Sequence, residues 1–123
     1  MGRDAAQEFA IEPDRIAVGG DSAGGNLAAV ASIKAKEQQM PVICHQLLIY
    51  PVNGFKGESD SIKENAEGYF LTEESMKWFN NHYFNKKEDT NHPYASPILY
   101  DDMNGLPPST ILTAQYDPLR DSE

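Results

Sequence analysis

Gly20-Asp21-Ser22-Ala23-Gly24 is the stretch of this 123-residue sequence whose residue types and spacing could do chemistry. It is a G-x-S-x-G pentapeptide, a pattern that acts when it joins a strand to a helix through a sharp turn. In such a turn the serine hydroxyl is lifted above the sheet on a strained backbone. Residues two before and two after it then approach so closely that side chains would collide, which places that demand on Gly20 and Gly24. The following helix begins beneath Ser22, and the N–H of Ala23 can point at a developing oxyanion. Ser22 is therefore the candidate nucleophile, Ala23 the candidate oxyanion donor, and Gly20, Asp21 and Gly24 the residues that shape the elbow.

The plainer possibility is a glycine-rich turn that cradles phosphate. The dinucleotide pattern G-x-G-x-x-G cannot be laid on Gly19 or Gly20, because Asp21 and Ser22 fall where the second glycine must stand. A Walker A loop would need Lys at position 25 or 26, where the chain has Gly25 and Asn26. The nucleophile reading fits both tests.

The elements that must position Ser22 are legible around it. Arg15-Ile16-Ala17-Val18-Gly19 is a short apolar run after the turn-like Glu12-Pro13-Asp14 and reads as a buried strand. Ala23 to about Glu37 has no proline and is rich in Ala, Leu, Ile and Lys, a helix whose slim start at Gly24, Gly25, Ala28 and Ala31 permits close approach to a sheet. Pro41 ends it, and residues 42–50 form a second apolar run stopped by Pro51. Residues 53–70 are polar and aperiodic, as in a lid or excursion. Thr72 caps a further helix, with Glu73 and Glu74 in its first turn, Leu71 and Met76 as a staple, and Met76, Phe79 and Tyr83 as an apolar stripe beside Trp78. Phe70, Met76, Trp78 and Phe79 either line a pocket or, as such a stripe more often does, pack as ordinary core. Residues 85–97 read as loop, residues 109–114 as a third strand, and Asp117-Pro118-Leu119-Arg120 as a helix entry. Strand, helix, strand, excursion, helix, strand is the order of a parallel α/β sheet with an insertion between its second and third strands, in which ligands sit outside the carboxyl ends of the strands.

Asp117 lies just past the third strand and would share that edge with Ser22, the convergence a triad needs. It equally suits a helix cap with Pro118 at the first helical position. Asp121, one helical turn on, would point away from the edge. In this fold the order is Ser, acid, His, and no histidine follows Asp117. His45 falls in a strand, and His82 and His92 fall in the insertion, so all three read as structural or surface residues.

Composition narrows the partners. Ten Lys and Arg against nineteen Asp and Glu give a net charge of -9, a field that repels nucleic acid and anionic membrane surfaces. One cysteine forms no internal disulfide and no Cys-based zinc site, no run approaches a membrane span, and no signal-peptide core follows Met1, all of which predict a cytoplasmic protein. Two unpaired edges of a three-strand sheet leave self-association into a homo-oligomer open.

Gly19-Gly20-Asp21-Ser22-Ala23-Gly24-Gly25-Asn26-Leu27-Ala28 resembles the nucleophile segment of the hormone-sensitive lipase family of α/β-hydrolases, which includes bacterial esterases. Arg15-Ile16-Ala17-Val18, Leu48-Ile49-Tyr50-Pro51, Ser96-Pro97, Leu106-Pro107-Pro108 and Tyr116-Asp117-Pro118-Leu119-Arg120-Asp121 are similar to further landmarks of that family in the right order, so nearly the whole chain is covered. The resemblance implies Ser22 as nucleophile and Asp117 as the acid that orients a histidine. It further implies a serine carboxylic ester hydrolase that acts through an acyl-enzyme on small acyl or aryl esters, with no metal or organic cofactor. Ser122 stands where the family usually has a second acid. The family's H-G-G oxyanion loop is absent from the 21 residues before Ser22, and its histidine is absent after Asp117. Residues 1–123 are thus expected to be one partial α/β-hydrolase domain, from nucleophile elbow to acid loop, and to be inactive alone. The alternatives are a non-catalytic ligand-binding relative and a truncated remnant.

Overall fold

The computed structural model describes residues 8–12, 15–40, 43–55 and 59–122. Three strands, β1 (Ala17–Asp21), β2 (His45–Ile49) and β3 (Ser109–Leu112), form one parallel sheet in the order β1-β2-β3. Parallel neighbours require crossovers. Helix α1 (Ala23–Glu37) makes the first, and a long insertion carrying α2 (Asp60–Asn65) and α3 (Glu73–Tyr83) makes the second. This is the parallel α/β sheet that the sequence predicts, with its insertion in the predicted place.

Register fixes which residues share an edge. Asp21 pairs with Ile49 and Ile49 with Leu112, so the three strands end in one row. β1 runs two residues further than the apolar run suggests, because Gly19, Gly20 and Asp21 keep pairing with Leu47, Leu48 and Ile49 before the chain turns. β2 is shorter than residues 42–50, since Tyr50 turns out of it with φ 35 ahead of Pro51. Pro13, Asp14, Pro41 and Val42, used above as boundary signals, lie outside the described residues.

α1 packs on the sheet through its small residues. Ala28, Ala29 and Leu48 form the core with Val18 against them, and Val30, Ser32 and Ile33 are also buried. The approach is close at Gly25, where a Cβ would stand 2.8 Å from Pro51 Cβ. β2 shows the alternation of a strand covered on one side: Gln46 and Leu48 are buried, and Leu47 between them is exposed. Lys34 and Lys36 complement the carboxyl end of the helix dipole. They also receive the insertion: Lys34 Nζ lies 4.6 Å over the Tyr94 ring, and Lys36 pairs with Asp102 at 2.7 Å.

Within the insertion, Thr72 caps α3 in a reciprocal box with Ser75, as a hydroxyl at that position predicts. α3 contributes no buried residue, and Phe70, Trp78, Phe79 and Tyr83 are exposed among the described residues, so within them the stripe is not packed as core. Instead the aromatic rings pair along the helix surface, Trp78 lying 4.1 Å from the His82 ring and 5.3 Å from that of Phe79. α2 and two short 3-10 turns, Lys87–Asn91 and Pro97–Leu99, fall where the sequence reads as loop. No helix among the described residues is long and apolar enough to cross a membrane.

Candidate active site

Ser22 sits between the end of β1 and the start of α1 with φ 51 and ψ -118, a left-handed conformation that costs a non-glycine residue on the order of 1–3 kcal/mol. Backbone bonds on both sides hold it there. Its N–H donates to Ile49 O at 2.9 Å, and its carbonyl accepts from Asn26 N at 3.1 Å and Val52 N at 3.3 Å. The turn is thus clamped to β2, to the segment after β2 and to the first turn of α1.

A serine at a helix start ordinarily folds its hydroxyl back onto the free amides of the first turn. Ser59 and Thr72 do this for α2 and α3, with φ of -84 and -105. Ser22 does not: it makes no side-chain capping bond, and its hydroxyl has no partner among the described residues. The Ala23 amide opens α1, where no intrahelical carbonyl reaches it. Asp21 and Ala23 are exposed, and Ser22 is partly so.

The glycines divide their work differently from the sequence expectation. A Cβ on Gly20 would lie 2.4 Å from the Gly24 carbonyl carbon, so Gly20 is required. A Cβ on Gly24 would meet nothing within 4 Å, because it points away from the turn. The second tight position is Gly25, which faces Pro51.

Asp117 follows β3 by a short turn in which its N–H donates to Ala114 O at 3.1 Å. Oδ1 accepts the Leu119 amide at 2.8 Å, a local turn ahead of the 3-10 turn Arg120–Ser122, and Oδ2 has no partner among the described residues. The expected helix does not begin at Pro118, so Asp117 is not its cap, and one carboxylate oxygen is left free. With the strand ends in one row, Ser22 and Asp117 leave the same sheet edge from strands two places apart, about 10 Å at ordinary strand spacing.

The histidines lie elsewhere. His45 pairs with Ala17 at the opposite, amino end of the strands, about 13 Å from the Asp21 row at the usual rise, and its Nε2 is 3.0 Å from Thr110 Oγ1. His82 Nδ1 lies 2.8 Å from Trp78 O, and His92 Nδ1 accepts from Tyr94 N at 3.1 Å. A small hollow of about 30 Å³ lined by Ser32, Lys36, Met40 and Pro107 is at the far end of α1 and below ligand size.

Three residues outside the predicted nucleophile, oxyanion and acid roles hold the loops around them. Asn26 is buried and donates from Nδ2 to Val52 O at 2.5 Å and Ala95 O at 2.7 Å, tying α1 to two loops near the edge. Ser61, fully buried on α2, and Asp121 join α2 to the acid loop. The Ser61 amide donates to Asp121 Oδ2 at 2.8 Å, and this bond first, then the Arg120 guanidinium, holds the Asp121 carboxyl below its ordinary range. Asp121, expected to point away from the edge, is bonded to α2. The sequence signal for α2 was Ser59-Asp60, a cap followed by an acid.

The sequence pattern of a family described as alpha/beta hydrolase fold matches residues 2–123. A carboxylic ester hydrolase of Mycobacterium tuberculosis, LipN, is 40% identical over 122 residues, which are 95% of this chain and 32% of that protein. An arylesterase of Saccharolobus solfataricus is 35% identical over 124 residues, covering 97% of this chain and 39% of its own. The crystal structure of a thermostable esterase from Pseudomonas putida ECU1011 superposes with a TM-score of 0.93 at 40% identity, covering 98% of this chain and 38% of that one. The chain thus spans about a third to two fifths of the length of the proteins it matches.

Proposed function

The chain belongs to the α/β-hydrolase fold family, and from that premise we propose that it is the elbow-to-acid portion of a serine carboxylic ester hydrolase. Ser22 Oγ attacks the ester carbonyl carbon while a histidine from outside residues 1–123 takes its proton. Asp117 holds that imidazole through the oxygen left free by its bond to the Leu119 amide. The Ala23 N–H receives the oxyanion together with donors from a glycine loop also outside these residues. The imidazolium protonates the departing alcohol, and water then releases the acid from Ser22. The observation that carries this reading is the Ser22 hydroxyl, held on a strained backbone at a helix start and not used as a cap. The positions of His45, His82 and His92 favour a base from elsewhere, so the 123 residues alone should turn over no ester.

Small acyl and aryl esters are the proposed substrates, a choice supported by the ester-hydrolase and arylesterase relatives. The test is hydrolysis of p-nitrophenyl esters of increasing acyl length by the whole gene product. Turnover of the acetate and butyrate well above the palmitate, lost in Ser22→Ala, is expected. Turnover that survives Ser22→Ala, or a preference for palmitate, would contradict it.

A further inference from the structure

The insertion carries a buried serine that grips the acid loop. Ser61 is 0% exposed and makes three bonds to one short segment. Its hydroxyl donates to Pro118 O at 2.8 Å and accepts the Asp121 amide at 3.2 Å, while its own amide donates to Asp121 Oδ2. Asn65, one turn on along α2 and also buried, donates from Nδ2 toward Asp117 O at 3.4 Å. Glu64 on the same helix meets Arg120 at 3.3 Å, and Arg120 in turn donates to Gln115 O at 2.9 Å. The Asp117 carbonyl and the residues just after it are thus held by α2, and Gln115 before it is held through Arg120. α2 has six residues, too few to persist in water without such contacts.

We propose that Ser61 is a positioning residue: through Pro118 and Asp121 it sets where the Asp117 carboxylate lies, and so couples the insertion to turnover. The inference rests on the assignment of Asp117 as the acid of the triad. It requires no contact between Ser61 and substrate. A carboxylate displaced by about 1 Å costs on the order of 10- to 100-fold in rate, so loss of the grip should act on kcat and leave KM nearly unchanged.

The experiment is a double-mutant cycle on the whole gene product, with Ser61→Ala and Asp117→Asn measured singly and together. Ser61→Ala should lower kcat on the order of 10-fold with KM within about twofold, and amides of the 117–121 segment should exchange faster. In the Asp117→Asn background the same change should lower kcat by less than about twofold, because the group it positions is gone. Equal losses in both backgrounds, or an unchanged kcat in Ser61→Ala, would overturn the proposal. Should Ser61→Ala not fold by its urea midpoint, Asp121→Asn, which keeps the side-chain volume, carries the same cycle. An Asp117→Asn enzyme with normal kcat would sink the acid assignment and the grip together, whereas an impaired Asp117→Asn beside a normal Ser61→Ala would sink the grip alone.

Discussion

The backbone of Gly24 occupies the space a side chain on Gly20 would need: an added Cβ at Gly20 would stand 2.4 Å from the Gly24 carbonyl carbon and 2.5 Å from its oxygen. Both obstacles are backbone, in a turn already clamped through Ser22, so neither can rotate aside. Gly20→Ala should therefore destabilise by about 3 kcal/mol or more. Gly24→Ala should be neutral or slightly stabilising, since its Cβ meets open space at a helical position where Ala is favoured. Urea midpoints of the two variants decide this, and equal losses would contradict it.

The three hydroxyl residues at helix starts should respond differently to Ala. Thr72 and Ser59 accept first-turn amides, and Thr72→Ala or Ser59→Ala should each cost about 1 kcal/mol. Ser22 has no such bond, so Ser22→Ala should leave stability nearly unchanged, and Ser22→Gly should raise it by relieving the positive φ. A Ser22→Ala loss as large as that of Thr72→Ala would show that Ser22 is an ordinary cap.

Asn26 offers two N–H groups to two carbonyls, and an acceptor in its place would leave both unpaired. Asn26→Asp should destabilise by roughly 2–3 kcal/mol, with faster amide exchange in the segments around Val52 and Ala95. An unchanged urea midpoint would show that the bridge contributes nothing.

α1 was legible from end to end, because its fifteen residues have no proline and after Asn26 are mostly Ala, Leu, Lys and other good helix formers. The three strands and their parallel sense were also legible, from short apolar runs separated by a helix and an insertion. α2 was not, since Asp60–Asn65 has no apolar period and is ordered by its contacts with the acid loop, 60 positions away in the case of Ser61 and Asp121. The share of work between Gly24 and Gly25 was hidden for a similar reason: it depends on where Pro51 returns beside the turn, a distance in space that spacing in sequence does not carry. At the edge itself, the motifs single out Ser22 and Asp117, while the bonds that hold their loops come from Asn26, whose partners Val52 and Ala95 are distant in sequence, and from Ser61, which belongs to no motif.

Acid should loosen the grip on the acid loop. The Asp121 carboxyl is held low by the Ser61 amide and by Arg120, and a group of this kind contributes stability fully above its unfolded value, about 4, and loses it as pH falls through its lower folded value. The urea midpoint should thus fall on the acid side of pH 4, and Asp121→Asn should flatten that fall. The Lys36 ion pair holds Asp102 low in the same sense, so some acid dependence should remain in the variant. Identical slopes with and without Asp121 would contradict the assignment.

The central claim is that Ser22 is an activated nucleophile, and a fluorophosphonate reports this without knowledge of the substrate. The whole gene product should gain one phosphonyl adduct, mapped by peptide mass spectrometry to Ser22, at a rate that falls on acidification as its histidine is protonated; Ser22→Ala should gain none. An adduct on another residue, or labelling undiminished in Ser22→Ala, would contradict the account.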